Sequence, residues 1–132
     1  MSFIEVLKNM FSQNGTKTAE EWNILDTKSA VDEAVRKSEN KPQMIYKHSG
    51  RCSVCVFAKS NLERNIEEIS EAADVNFVDV IASREVSNYI AEKLDVRHES
   101  PQAILLKHGE VIWHNSHGSV KSAGILEALS RN

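Results

Sequence analysis

Lys47-His48-Ser49-Gly50-Arg51-Cys52-Ser53-Val54-Cys55 contains both cysteines of the 132-residue chain, three positions apart. The run before it, Pro42-Gln43-Met44-Ile45-Tyr46, reads as a short, mostly buried strand. After it, Val56, Leu62, Ile66 and Ile69 recur close to helical spacing. The pair therefore stands where a strand passes into the first turn of a helix. A thiol there faces unsatisfied backbone N–H groups and the positive end of the helix dipole, and both favour the thiolate. Arg51 and Lys47 add positive charge, and His48 adds more when protonated. Cys52 is thus expected to ionise below the roughly 8.5 of an unperturbed thiol. A C-x-x-C pair in this setting points to thiol–disulfide exchange. The same spacing also serves as half of a zinc site, or as two small buried residues.

Composition narrows the rest. With 41% hydrophobic and 27% charged residues, the chain is long enough to bury one core and too apolar for disorder. A net charge of −3 predicts neither nucleic-acid nor anionic-membrane binding. Two cysteines at this spacing do not make a secreted disulfide framework. The start, Met1 to Phe11, has no basic region followed by an apolar one, and no run approaches the length of a membrane span. A soluble, cytoplasmic protein is expected, as a monomer or weak homodimer.

Phe3, Ile4, Leu7, Met10 and Phe11 share one face of a short helix, which would pack on its own domain or on a neighbouring subunit. Ser12 to Lys17 reads as a polar linker, so residues 1–18 form a helical extension and linker and 19–132 the main domain. Trp22 to Leu25 reads as a short strand. Asp26, Thr27 and Ser29 compete to cap a helix carrying Ala30, Val31, Ala34 and Val35. Val75 to Ile81 reads as a second buried strand. Ser83 then caps a helix with Val86, Ile90 and Leu94. Ala103 to Leu106 and Val111 to His114 form a hairpin across Lys107-His108-Gly109-Glu110, with Gly109 supplying positive φ. Ser119 starts a last helix with Val120, Ala123, Ile125, Leu126 and Leu129. Strands alternating with helices, then a hairpin and a helix, give an α/β fold of the thioredoxin-like kind: a mixed central sheet with helices on both faces.

Pro101 stands just before the predicted hairpin. It reads either as a simple strand start or as a cis bond, and in thioredoxin-like folds the proline at that place is cis and faces the reactive thiol. Further strings sharpen the family reading. His48-Ser49-x-x-Cys52, Ser83-Arg84-x-Val86-Ser87-Asn88-x-Ile90-Ala91 and Val96-x-His98-Glu99-Ser100-Pro101-Gln102 resemble the YtxJ family, the monothiol bacilliredoxins. Gly109-x-Val111-Ile112-Trp113 and Ser116-His117 match as well, so the resemblance runs from about Trp22 to Leu129. It implies a disulfide reductase that removes bacillithiol from S-thiolated proteins through Cys52. No resident cofactor is implied; a low-molecular-weight thiol such as bacillithiol is the co-substrate. Ser100, Pro101, His48, Arg51 and His98 are the candidate substrate-binding residues.

The chain departs from the family at the site itself. The family commonly shows Thr-Cys-Pro-Ile-Ser, and this chain has Arg51-Cys52-Ser53-Val54-Cys55. A second cysteine in place of serine makes an intramolecular disulfide possible, with Cys52 attacking and Cys55 resolving. Other polar residues carry weaker expectations. His117, His108 and Glu99 read as structural or solvated, Arg84 and Asn88 as a pair holding a helix to the sheet, and Trp22 and Trp113 as core or anchor residues. Two rival functions remain at this level. One is zinc or iron–sulfur binding by the cysteines with histidines such as His114 and His117. The other is a non-enzymatic module that binds partners along the Ser100-Pro101 groove.

Overall fold

Gln43–His48 is buried residue by residue. Such a strand must lie in the middle of a sheet that is covered on both faces. The computed structural model describes residues 21–132 and places this strand, β2, at that centre. The sheet order is β1-β3-β2-β4-β5, where β1 is Asn23–Ile24, β3 Asp74–Asp79, β4 Gln102–Lys107 and β5 Glu110–Ser116. β1, β3 and β2 run parallel, while β4 and β5 are antiparallel additions on the other side of β2. The helices are α1 (Lys28–Lys37), α2 (Ser53–Arg64), α3 (Ile66–Ala72), α4 (Arg84–Leu94) and α5 (Ser122–Arg131). The expected helical extension at 1–18 lies outside the described residues.

Strand alternation divides the core in two. Met44, Tyr46, Val75, Phe77, Ala103 and Leu105 meet Ala58, Leu62, Ile66, Ile69 and Ile125 from α2, α3 and α5. Ile45, Val78, Ile104 and Leu106 meet Val31, Ala34, Val86 and Ile90 from α1 and α4. The buried stripe of the cysteine helix is therefore Cys55, Ala58 and Leu62, continuing into Ile66 and Ile69 of α3. Val56, expected on that stripe, is 52% exposed. It lies one position round from Cys55, and one residue is about 100° of helix.

Element ends show which local signals prevailed. Thr27 won the capping contest at α1, its hydroxyl accepting from the Ala30 N–H at 3.0 Å. β3 stops at Asp79, whose carboxylate accepts from Ile81 and Ala82 N–H at 3.0 Å each. Ile81, expected in the strand, is consequently in an exposed turn, and Ser83 makes no side-chain cap. The last helix begins at Ser122 and not at Ser119. Residues His117–Ser119 form a 3-10 turn, and the Asn61 side chain, reaching across from α2, accepts from the Ser122 N–H at 2.8 Å. The hairpin turn is as expected at Gly109 (φ 77°), with His108 also left-handed at φ 53°. Its backbone is anchored by the buried Ser38, whose carbonyl accepts from His108 at 2.8 Å and whose hydroxyl accepts from Gly109 at 2.9 Å.

This packing makes two positions on α2 respond differently. Leu62→Ala should cost about 2–5 kcal/mol, because Leu62 is fully buried between helix and sheet. Val56→Ala should stay within about 0.5 kcal/mol. Urea unfolding curves of the two variants check this, and equal losses would contradict the assigned buried face.

Candidate functional site

β2 ends at His48, and the chain turns through Ser49, Gly50 and Arg51, with the Cys52 N–H donating to Ser49 O at 3.2 Å. Cys52 itself is the N-cap of α2. Its backbone is extended (φ −111°, ψ 120°) and its Sγ accepts from the Cys55 N–H at 3.4 Å. This is the place where Ser, Thr, Asp or Asn usually supplies an oxygen to the third N–H of a helix. A thiolate serves the same donors better than a neutral thiol. The Cys52 thiol is accordingly held below its usual range, first by the Cys55 N–H, then by the Cys55 thiol, with the Val54 N–H helping and partial burial opposing.

The cations expected to lower it do not take part. Lys47 alternates to the opposite face of the sheet, where it is completely buried. Its ammonium donates to Ser87 O at 3.0 Å and to His98 Nδ1 at 3.3 Å, and burial pushes it down to about 8. His48 points to the cysteine-helix side and is 2% exposed. Burial first, then the Lys59 charge, push it down to about 4, so it is neutral at physiological pH and adds no charge. Arg51 is exposed in the turn before Cys52, and does not figure among the groups that lower the thiol.

Cys55 faces the other way. It is fully buried, and burial together with the neighbouring Cys52 charge pushes its thiol up to about 11. The Ser49 backbone and the Ser100 side chain reach that thiol and oppose the shift. Ser100 thus arrives at Cys55, and the Ser100–Pro101 peptide bond is cis. Beneath the pair, the Tyr46 hydroxyl donates to Cys55 O at 3.0 Å and lies 2.8 Å from His48 Nδ1. Its one proton goes to the carbonyl, which assigns the His48 proton to Nδ1 as donor to the phenol oxygen. Burial, then the charges of Cys55 and Cys52, raise the Tyr46 phenol, which stays neutral.

The structure therefore brings Cys52, Cys55, His48 and Ser100 together. His98 is joined instead to Lys47 and to the Ser87 hydroxyl of α4 at 3.1 Å, and burial, Lys47 and Arg84 lower it. Arg84 and Asn88 are exposed, so the expected holding role falls to Val86 and Ile90. Glu99 is held by His117 at 3.0 Å, and the His117 N–H donates to Pro101 O at 2.8 Å. His108 is exposed at the hairpin tip. Trp22 is buried against Tyr46 and Phe77, and Trp113 is half-buried. Among the described residues, no group of three or more His, Cys, Asp or Glu is placed to hold a metal ion. No helix of the described residues is long and apolar enough to cross a membrane. Two features escaped the sequence reading. Tyr46 reads in the sequence only as part of a mostly buried strand, and nothing local marks its hydroxyl as a partner of the Cys55 carbonyl. Val54 and Phe57, on the first turns of α2, are 42% and 74% exposed, which the true spacing of the buried stripe could have revealed.

With this geometry in view, similarity to known proteins becomes specific. The family model for the monothiol bacilliredoxin BrxC matches residues 23–125. The chain belongs to that family, as the His98–Gln102 and Ser83–Ala91 strings implied. It is also similar to a solved protein described as a candidate oxidoreductase with a thioredoxin fold. That likeness is 28% identity over 80% of this chain and 90% of the other, with a TM-score of 0.71. Fasciola hepatica thioredoxin is 17% identical over 83% of this chain and 97% of its own, with a TM-score of 0.65. Malassezia sympodialis thioredoxin is 13% identical over 90% and 96%, with a TM-score of 0.67. The fold is that of thioredoxin, and the class of chemistry is thiol redox exchange.

Two titrations follow. Alkylation of the reduced protein across pH should modify one thiol with a midpoint below the ordinary thiol range and the second only under strongly alkaline conditions. Loss of the first phase should accompany Cys52→Ala; its survival there would reverse the assignment. For Lys47, the unfolded chain keeps the proton up to about 10.5 while the folded protein loses it near 8. Between those values the unfolded state binds more protons, so stability relative to Lys47→Met must rise as pH climbs through that window. A difference that is flat from pH 8 to 10.5 in urea titrations would contradict the burial of the ammonium.

Proposed function

We propose that this bacilliredoxin-family chain reduces mixed disulfides between proteins and a low-molecular-weight thiol, bacillithiol by family, with Cys52 attacking and Cys55 resolving. The observation that supports it most is the asymmetry within one helical turn. Cys52 is half-exposed and capped by the Cys55 N–H, whereas Cys55 is buried and held protonated. In the first step the Cys52 thiolate attacks the small thiol's sulfur, forms a Cys52–S–S bond and releases the protein thiolate. Cys55 then gives up its proton to solvent or to the departing thiolate and attacks the Cys52 sulfur. The small thiol leaves, and the two electrons of the Cys52/Cys55 dithiol have reduced one disulfide. A further low-molecular-weight or protein thiol must restore the dithiol.

In this reading Ser100 and Pro101 border the incoming disulfide, since Ser100 already reaches the Cys55 thiol. Arg51, exposed in the turn beside Cys52, would meet the carboxylates of the small thiol. His48 acts through Tyr46 on the Cys55 carbonyl, and His98 steadies the loop that carries Ser100 through its bond to Lys47. Chemistry of this kind belongs in a reducing compartment such as the cytoplasm.

Incubated with an S-thiolated protein, the Cys55→Ser chain should accumulate a Cys52-bound small thiol visible by mass spectrometry, and the Cys52→Ala chain should release no protein thiol. Reduction at an undiminished rate by Cys52→Ala would remove the attacking role from Cys52.

A further inference from the structure

Apolar residues on the solvent side of α2 follow directly on the nucleophile. Val54 and Phe57 are 42% and 74% exposed, and Phe57 is the most exposed of the large apolar side chains among the described residues. From these two a cleft of about 250 Å³ runs along the helix to Arg64 at its end, with the turn carrying His117, Val120 and Lys121 as its far wall. No carboxylate lines this cleft, although the chain as a whole carries a net charge of −3. Carboxylates resume just past it, where Glu67, Glu68 and Glu71 of α3 gather on the other side of Arg64. The cleft thus carries Val54 and Phe57 on the first turns of α2, the cations Arg64 and Lys121 in its lining, and carboxylates beyond Arg64.

We propose that this cleft receives the polypeptide flanking the disulfide-linked cysteine of the protein substrate, with an apolar side chain on Val54 and Phe57 and an acidic one between Arg64 and Lys121. The inference rests on the exchange reaction at Cys52 and adds a sequence preference to it. Length decides between a small thiol and a peptide as occupant. Arg64 is twelve residues along the helix from Cys52, which is about 18 Å at 1.5 Å per residue. Its side chain leans back toward the helix start, so the guanidinium comes somewhat nearer. An extended polypeptide crosses that distance in roughly five residues. The acidic residue is therefore expected about four to six positions from the modified cysteine, and the α3 carboxylates disfavour a second one beyond it.

The test uses the full-length Cys55→Ser chain, which stops after the first step, and synthetic peptides whose single cysteine is linked to glutathione. All carry leucine near the cysteine, with either glutamate or lysine about five positions away on either flank. The second-order rate of glutathione transfer to Cys52 should be about fivefold higher for the glutamate peptide at low salt. The preference should fade near 1 M salt, and it should invert in Arg64→Glu/Lys121→Glu. Because the readout is a ratio within one protein, altered stability of the variant drops out. Equal rates for the two peptides would overturn the cleft while leaving exchange at Cys52 intact. Absence of transfer from every peptide, from glutathione disulfide and from bacillithiol disulfide would instead overturn the exchange reading. A concentration-dependent dimer that Phe57→Ser abolishes would assign the cleft to a second copy and overturn the proposal.

Discussion

The site depends on one hydrogen bond, from the Cys55 N–H to the sulfur of Cys52. A helix start requires an acceptor for its free N–H groups, and here the acceptor is the Cys52 sulfur. Ionising the sulfur improves the cap, so the same contact that closes the helix favours the thiolate. Two supports hold it in place. β2 delivers the chain from the centre of a sheet buried on both faces, and the Ser49 carbonyl ties the Cys52 N–H as the chain turns. Anything that frayed the first turn of α2 would lose both the cap and the thiolate.

From that bond the contrast between the two cysteines follows. The N-cap residue projects outward with its donors behind it, and the residue three positions on points into the core. Cys55 is thereby deprived of water and left beside a negative sulfur, and both raise its thiol. Of the buried groups beneath the pair, His48 is uncharged and the Tyr46 phenol is protonated. Fixed dipoles therefore set the thiol chemistry, and such control is less exposed to salt than control by surface cations.

Much of this was legible in the sequence because it rests on spacing. The strand-to-helix position of C-x-x-C, the order of elements, the Gly109 turn and the family strings around Pro101 all needed no tertiary information. What failed depended on side-chain direction. Lys47 is two residues from Ser49 in sequence, yet strand parity sends it through the sheet to Ser87, away from the thiol it was expected to assist. Val56 shares the apolar character of the true stripe and misses it by one helical position. Ser119 and Ser83 look like caps, but the Asn61 side chain from α2 takes the Ser122 N–H, and Asp79 ends its strand by taking the Ile81 and Ala82 N–H groups ahead of Ser83. The burial that keeps His48 uncharged is likewise a property of the assembled core.

The proposed mechanism has Cys55 acting as partner to Cys52 in a family described as monothiol. Its most direct test is a redox titration of the purified protein in thiol/disulfide buffers, with free thiols and adducts counted by mass spectrometry. The expected result is one two-electron transition between the dithiol and a Cys52–Cys55 disulfide, within the range of about −270 to −120 mV that catalytic dithiols span. A stable adduct of the buffer thiol on Cys52, with Cys55 still free, would contradict it.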